Sequence, residues 1–176
     1  MDLEKVVREL ADKKDIEDLI TWRFARAIDW LDVESAKACF HEDARFAYDA
    51  VDMNAHDFCN AFAKGGAALK MRSHFIGCAA VALDGDRASG ETYAIFAATR
   101  ESPATGKLED YVVSCRYFSE IERRAGVWRM TSLRIAFDWS FGQPTPEKTP
   151  SGNTYNYGLD INHPLFRRLD PQTRGR

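Results

Sequence analysis

Two residues of this chain, His74 and Asp29, have the types that acid–base chemistry needs. His74 lies inside MRSHFIGCAAVAL, whose alternation predicts a strand, and the imidazole shares one face of it with Ile76, Cys78 and Ala80. Such a histidine is either a core residue whose ring nitrogens are satisfied within the protein or a general base. A neutral imidazole acts as a base near neutral pH when a carboxylate fixes its tautomer and stabilises the imidazolium.

Asp29 is the carboxylate that could do this, and its position is unusual. It lies near the end of DIEDLITWRFARAIDWL, where the helix dipole disfavours a negative charge by a few tenths to about 1 kcal/mol. On a regular helical wheel Asp29 falls with Trp22 and Arg26, away from the apolar stripe, which favours a solvated carboxylate. Trp22 and Trp30 instead indicate that several sides of the helix are covered. The helical pattern leaves both alternatives open.

The elements that must position these residues follow from periodicity and turn signals. Apolar spacing predicts a helix over residues 15–31 capped by Asp15, a second helix through VESAKACF capped by Asp32, a short strand ARFAYD, and a third helix HDFCNAFAKGGAALK. Two long hairpins follow, one around the turn 84–86 and one around RAG. The order predicts an α+β fold in which a strongly curved antiparallel sheet carries the helices on its concave side.

The chain divides into one domain, residues 1–140, and an irregular tail, residues 141–176. The tail holds five of the six prolines and shows little periodicity. Its apolar residues are too many for a solvated linker, so part of it is expected to pack on the domain, on a partner subunit or over a pocket; these are Tyr155, Tyr157, Leu159, Leu165 and Phe166.

The overall composition limits the classes of partner and cofactor that are expected. With a net charge of −3, the chain offers no broad attraction for nucleic acid or anionic lipid. No membrane span, secretory leader, phosphate-binding loop, nucleophile elbow, HExxH or EF-hand motif is present, so we expect a cytoplasmic protein without cofactor or metal. Four widely spaced cysteines are predicted to be buried thiols rather than metal ligands or disulfides, namely Cys39, Cys59, Cys78 and Cys115. The remaining histidines, His41, His56 and His163, stand in polar contexts that indicate surface positions.

The order of several segments resembles a known family. FARAIDWLD, CFHEDARFAYD, SHFIGCAAVALDGDRASGETYA, CRYFSEIERRAGVWRM and FDW, over about residues 8–140, resemble the SnoaL-like branch of the nuclear transport factor two fold. That branch includes scytalone dehydratase, bile acid 7α-dehydratase, hexachlorocyclohexane dehydrochlorinase and polyketide cyclases. The resemblance implies a cystatin-like cone, a curved sheet around the long N-terminal helix with a pocket at one end, in a homodimer or homotrimer.

The resemblance also implies roles for four residues. In lyases of this branch an aspartate late in the first helix orients a histidine on the first long strand, and Asp29 and His74 occupy those positions. Tyr48 matches a tyrosine that binds a substrate oxygen in the dehydratases. Phe24 stands five residues before Asp29, where the dehydratases and the dehydrochlorinase carry tyrosine or lysine, so one expected polar group is missing. The resemblance favours His74 as a base and leaves the leaving group open.

A base-driven elimination also needs a group that stabilises the developing charge. Arg116 and Arg134 interrupt apolar or small-residue strand faces, and either could face an oxyanion. Each has an alternative role in an ion pair, Arg116 with Glu91 or Asp110 and Arg134 with Asp138. Tyr93 is either a further pocket donor or a half-buried strand tyrosine.

The sequence therefore predicts a cofactor-independent lyase that acts on a small, largely apolar, ring-containing substrate. Loss of water is the first expectation for the reaction, and loss of formaldehyde from a hydroxymethyl-bearing, lignin-type aromatic is the second. An isomerase or cyclase would use the same base. The rival classes are a non-catalytic scaffold, as in the small subunits of ring-hydroxylating dioxygenases, and a plain ligand-binding module. The scaffold hypothesis predicts a large iron–sulfur partner and an obstructed cone.

Overall fold

A long helical segment opens the fold in the computed structural model, which describes residues 2–146 and 159–166. It consists of α1 (Leu3–Asp18), a π turn (Leu19–Arg23) and α2 (Phe24–Asp29), and the short α3 (Val33–Lys37) follows. The helix begins twelve residues before the predicted cap at Asp15, because the Asp2 carboxylate accepts hydrogen bonds from the amides of Glu4 and Lys5. Asp32 caps α3 as predicted. Within the described residues, no helix has the length and apolar character to cross a membrane.

The π turn changes the direction in which the side chains at the end of the helical segment point. A π turn inserts one residue, so every later side chain is rotated by about 100° relative to a regular helix. Inside it, the Thr21 hydroxyl donates to the Glu17 carbonyl oxygen at 2.7 Å. After it, Phe24, Ala27 and Ile28 are buried and Asp29 is turned towards the sheet. The regular wheel assigned Asp29 to the wrong side for this reason.

Six strands and one further helix complete the domain. They are β1 (Phe40–Tyr48), β2 (Val51–Asn54), α4 (Ala55–Gly66), β3 (Met71–Asp84), β4 (Arg87–Glu101), β5 (Leu108–Arg124) and β6 (Val127–Pro144). The sheet order is β2-β1-β6-β5-β4-β3, and β1 and β6 are parallel while all other neighbours are antiparallel. The sheet is thus mixed rather than purely antiparallel, and β6 continues to Pro144, past residue 140. The predicted α+β class with a curved sheet around the helix is confirmed.

The helical segment packs closely into the concave face of the sheet. Its buried residues Ile16, Leu19 and Ile20 join the core with side chains from the strands. At Gly90 of β4 the approach is so close that a Cβ atom would lie 2.6 Å from Ile20 Cδ1 and 2.8 Å from Ser119 Oγ. Glycine at this position lets the helix sit against the strand.

A bulge in β3 reverses the side-chain directions beyond His74. The register with β4 shifts between Ile76 and Ala79, and the Thr92 hydroxyl is within 3.0 Å of the Gly77 carbonyl oxygen. Residues 79, 81 and 83 therefore face the core, and Cys78 is exposed. The prediction of a buried Cys78 is wrong for this reason, whereas the other three cysteines are buried as predicted.

The described part of the tail packs on the domain. The Phe166 ring centroid lies 5.4 Å from that of Trp30 and 5.1 Å from Cζ of Arg26. At the other end of the segment, the Leu159 carbonyl oxygen accepts a hydrogen bond from the Arg72 guanidinium. Leu165 is exposed, and the predicted packing of Tyr155 and Tyr157 lies outside the described residues.

Candidate active site

Asp29 holds His74 at two points. Its Oδ1 lies 2.7 Å from Nδ1 of the imidazole, and its Oδ2 accepts the backbone N–H of His74 at 2.9 Å. The side chains are 9% exposed for His74 and 22% exposed for Asp29. Because one carboxylate binds both the backbone and the ring of the same residue, it fixes the position of the strand and the orientation of the imidazole.

This contact determines which nitrogen of His74 is free. Beside a carboxylate, Nδ1 carries the proton of the neutral ring, so Nε2 keeps its lone pair. Nε2 has no hydrogen-bond partner among the described residues, and the imidazole lines a cavity. The ring also lies against Phe96, at a centroid distance of 4.6 Å and an interplanar angle of 30°. The geometry leaves the lone pair of Nε2 open towards the cavity.

The cavity is small and mainly aromatic. Its volume is about 310 Å³, at the lower end of the roughly 300–1,000 Å³ of small-molecule sites. Six phenylalanines contribute to its wall, Phe24, Phe46, Phe58, Phe62, Phe96 and Phe137. Phe46 and Phe58 stack face to face with centroids 3.5 Å apart. Such a wall suits a flat apolar ligand of one or two rings.

A larger groove, of about 690 Å³, lies elsewhere, between α1 and the β3–β4 turn. Its lining is highly charged, and Asp12 within it already pairs with Arg123 at 2.7 Å and accepts the Trp128 indole N–H at 2.9 Å. His74 and Asp29 do not line it. The aromatic cavity is therefore the one that adjoins a candidate base.

Tyr48 and Phe24 both line the cavity, as the resemblance implied. Tyr48, the last residue of β1, lies edge-on to Phe46 and Phe137, with centroids 5.9 and 6.0 Å away. Phe24 is buried and makes an edge contact with Phe40 at 5.2 Å. Phe24 adds apolar surface but no proton donor, so a polar group must come from another position.

The two predicted arginines lie outside the cavity. Arg116 donates from Nε and Nη2 to Asp138 Oδ1, at 3.2 and 3.0 Å, and this contact raises the pKa of its guanidinium. Arg134 is exposed on the same outer side of the sheet, opposite Ala47 and Phe118. Neither Arg116 nor Arg134 lines the cavity, contrary to the prediction. Asp138, expected as a partner of Arg134, binds Arg116 instead.

Tyr93 is also on the outer side. It is 63% exposed, and its ring lies 5.9 Å from Cζ of Arg116, its cross-strand neighbour. Strand alternation explains why Tyr93 does not line the cavity. Near this residue, the even-numbered residues of β4 and the odd-numbered residues of β5 face the concave side of the sheet. The same alternation places Tyr111, Cys115 and Tyr117 in the cavity wall.

Sequence reasoning missed these three inward-facing residues of β5. Cys115 is a weak candidate for chemistry, because burial raises the pKa of its thiol to about 11. Tyr111 is half-buried with Cζ of Arg100 4.5 Å from its ring. Tyr117 is only 4% exposed. The alternation in EDYVVSCRYF could have identified them, once the face opposite Arg116 was recognised as the concave one.

Arg72 was also missed, although it stands two residues before His74 on the same face of β3. It is 7% exposed, donates from Nη1 to the Gly66 carbonyl oxygen at 3.2 Å, and has no partner at Nε. Burial lowers the pKa of Arg72, whereas the charges of Asp29 and Asp160 raise it. Arg72 thus connects the surroundings of Asp29 to the C-terminal segment.

The other histidines lack this arrangement. His41 is buried rather than at the surface, and its Nε2 lies 3.0 Å from the Glu122 carbonyl oxygen. His163 accepts the Leu165 amide and lies beside Trp30. Among the described residues, no three histidine, cysteine, aspartate or glutamate side chains are grouped to hold a metal ion.

Known structures share this architecture. A type 2 hexachlorocyclohexane dehydrochlorinase, LinA, superposes with a TM-score of 0.71 at 15% identity, over 83% of this chain and 98% of that one. A candidate aromatic ring hydroxylase from Novosphingobium aromaticivorans gives 0.65 at 26% identity, over 76% and 94%. A candidate scytalone dehydratase from the same species gives 0.66 at 15% identity, over 88% and 96%.

Sequence comparison gives the same grouping. A search of curated proteins finds no match. The model of the SnoaL-like domain family matches residues 8–134, most of the domain described above. With the fold shared by LinA and the candidate scytalone dehydratase, this confirms the resemblance, and the chain belongs to the SnoaL-like family.

Proposed function

We propose that the protein is a cofactor-independent lyase in which His74, held by Asp29, is the general base. The observation that carries this proposal is the 2.7 Å contact between Asp29 Oδ1 and His74 Nδ1, with Nε2 left open to an aromatic cavity. The lyases among the structural relatives support the reaction class, and the aromatic wall supports a small, largely apolar aromatic substrate.

The base would act in a simple proton-transfer sequence. In a dehydration, Nε2 takes a proton from carbon, the C–H electron pair forms a double bond, and the leaving hydroxyl departs as water with a returned proton. Asp29 stabilises the imidazolium formed in between, and a positioned base contributes roughly 10²–10⁴-fold to such a step. In a loss of formaldehyde, Nε2 takes the hydroxymethyl O–H proton, the C–C bond breaks, and the ring-bearing fragment takes up a proton.

The open cavity also bears on the alternatives. A scaffold subunit predicts an obstructed cone, whereas here about 310 Å³ adjoins the free nitrogen of His74. The open cavity supports an enzyme over a scaffold, and the imidazole held by Asp29 beside it supports an enzyme over a plain binding module. An isomerase or cyclase would use the same base and would differ in its product, which keeps the mass of the substrate.

Assembly into a homodimer or homotrimer, in the cytoplasm, is proposed alongside. Large apolar side chains on the outer side of the sheet are exposed in the single chain, including Phe75, Tyr93 and Phe118. Their burial against a second copy would be favourable. Light scattering on the purified protein, with a Phe75→Asp variant for comparison, tests this: the wild type is expected to be oligomeric and the variant less so.

The proposed activity is tested by product analysis. The wild type is incubated with small hydroxylated and hydroxymethyl-bearing aromatics, and mass spectrometry follows the loss of water or formaldehyde. We expect one of these losses from the wild type and at least about 10²-fold slower loss from His74→Ala. Comparable turnover by both proteins, or none by the wild type with co-purification of a large iron–sulfur subunit, would contradict the proposal.

A further inference from the structure

Tyr117 has a buried hydroxyl that nothing in the described protein engages. The residue is 4% exposed, yet it lines the cavity and its oxygen has no hydrogen-bond partner among the described residues. The oxygen is also not among the buried polar atoms sealed from solvent. A buried hydroxyl without a hydrogen-bond partner costs folding stability. Because the Tyr117 hydroxyl is buried but open to the cavity, it points to an acceptor supplied from outside the protein.

The surroundings of this hydroxyl leave few acceptors within the protein. Tyr117 stands in one row across the sheet, between Thr92 on β4 and Ile135 on β6, with Tyr48 beyond Ile135. The Thr92 hydroxyl is already committed to the carbonyl oxygens of Gly77 and Cys78, at 3.0 and 3.1 Å. The remaining described wall is mainly apolar, which favours an acceptor on the ligand.

The position of Tyr117 relates it to the base. His74 is opposite Phe96, and Phe96 is opposite Val113, which lies on the same face of β5 as Tyr117, four residues away. Four residues along a strand place the Cα atoms of Val113 and Tyr117 about 13 Å apart. The side chains of His74 and Tyr117 both line the same cavity. Burial first, and then the charges of Cys115 and Asp29, raise the pKa of Tyr117, so its hydroxyl stays a proton donor.

We propose that Tyr117 donates a hydrogen bond to an oxygen on the aromatic substrate, which makes the substrate an oxygenated arene rather than a plain hydrocarbon or halocarbon. The inference rests on the proposed function and adds the polar group that Phe24 does not supply. When His74 removes the proton from a carbon conjugated to this oxygen, charge develops on the oxygen and the Tyr117 hydrogen bond strengthens.

Binding of two molecules that differ in one oxygen tests the proposal without any need for turnover. Acetophenone and ethylbenzene have the same ring and nearly the same shape, and only acetophenone has a carbonyl acceptor. Titration calorimetry gives both dissociation constants. In Tyr117→Phe, acetophenone is expected to bind about 5- to 10-fold more weakly, the effect of one neutral hydrogen bond, whereas ethylbenzene binding is unchanged.

Two further variants make the assignment specific. Tyr111→Phe removes a hydroxyl from the same cavity and is expected to change the ratio of the two constants by less than about twofold. Tyr48→Phe, at the residue that the resemblance places on a substrate oxygen, is expected to change the ratio less than Tyr117→Phe does. The infrared carbonyl band of bound acetophenone should move to higher frequency in Tyr117→Phe alone. An unchanged ratio in Tyr117→Phe, a larger effect in Tyr48→Phe, or no saturable binding of acetophenone to the wild type would overturn the proposal.

The same experiment separates this inference from the proposed function. His74→Ala is expected to lower turnover at least about 10²-fold and to retain the preference for acetophenone, since the base is not the donor. If His74→Ala turns over substrate at a rate near that of the wild type, the base assignment fails while the binding ratio still tests Tyr117. Urea unfolding of Tyr117→Phe serves as the folding control, and its midpoint should be equal to or above that of the wild type.

Discussion

The two faces of strand β5 assign opposite roles to neighbouring residues. Tyr117 faces the concave side, is nearly inaccessible and lines the aromatic cavity, whereas Arg116 faces the outer side and pairs with Asp138. Both residue types can stabilise a developing oxyanion, and only one of them can reach a ligand. On this sheet, the direction of a side chain rather than its chemistry decides whether it can act on a ligand.

The same contrast separates the two carboxylate contacts. Asp29 and His74 meet at 2.7 Å in a largely buried setting, while Arg116 and Asp138 meet at 3.0 Å on the outer face. An exposed ion pair contributes about 0–1 kcal/mol, whereas a hydrogen bond to a largely buried carboxylate contributes about 1.5–3 kcal/mol. Perturbing the inner pair should thus affect both activity and stability, and perturbing the outer pair should affect neither strongly.

Removal of the proposed base gives the largest expected effect. In His74→Ala, turnover of the substrate identified by product analysis should fall at least about 10²-fold, because the described cavity wall has no second imidazole and no carboxylate to take the proton. Steady-state kinetics measures the fall, and circular dichroism checks that the variant is folded. Activity within a few fold of the wild type would exclude His74 as the base.

Neutralising the aspartate comes next. Asp29→Asn keeps the shape of the side chain but loses the charge that stabilises the imidazolium and fixes its tautomer, so turnover should fall about 10²-fold. Stability should fall by about 1–3 kcal/mol, because two hydrogen bonds to His74 are weakened or lost. Urea denaturation and kinetics measure both. A variant with normal turnover would show that His74 acts without its carboxylate.

The close approach of helix and sheet predicts an effect on stability alone. Gly90→Ala places a methyl group against Ile20 and Ser119 and should destabilise the fold by about 1–3 kcal/mol. Gly65→Ala is the matched control, since nothing lies within 4 Å of its Cβ position in α4, and it should be neutral or stabilising. Equal urea midpoints for the two variants would contradict the packing described here.

The burial of the four cysteines also predicts which thiol reacts. Cys78 is exposed, whereas burial raises the pKa of Cys39 and Cys59 to about 12 and that of Cys115 to about 11. Titration of the folded protein with a thiol reagent should modify one cysteine per chain, and Cys78→Ser should leave none reactive. Rapid modification of a second cysteine would show that the inner face is open.

The smallest effect is expected on the outer face. Arg116→Ala removes an exposed ion pair, so stability should change by less than about 1 kcal/mol and turnover should stay at the wild-type level. Urea denaturation and steady-state kinetics on the same preparation measure both. A loss of turnover comparable to that of Asp29→Asn would mean that the outer face contributes to the reaction.

Much of the fold followed from local sequence signals. Turn residues predicted both long hairpins, and at Ala125 and Gly126 the backbone adopts the positive φ angles, 49° and 79°, that a tight turn needs. The helix start was predicted too late, because the core-facing apolar stripe begins only at Ile16, whereas Leu3, Val7 and Leu10 earlier in α1 are exposed. The parallel pairing of β1 with β6 depends on contacts distant in sequence, which periodicity does not report.

The site was harder to predict than the fold, for physical reasons visible at three residues. One π turn rotated Asp29 away from the position of a regular wheel. One bulge turned Cys78 outwards, although the strand alternates regularly as far as Ile76. Tyr117 was overlooked because alternation separates two faces without saying which is concave. The resemblance to a family, rather than the pattern of residues, joined Asp29 to His74 before the structure placed them in contact.

The tautomer of His74 tests the central claim most directly, because a base held by Asp29 must carry its proton on Nδ1 and a lone pair on Nε2. Nitrogen NMR of the imidazole distinguishes the two nitrogens when it is recorded at a pH where the ring is neutral. The His74→Gln variant assigns the signals. We predict a protonated Nδ1 and an unprotonated Nε2 in the wild type, and a loss of this preference in Asp29→Asn. A wild-type ring protonated on Nε2 would contradict the account.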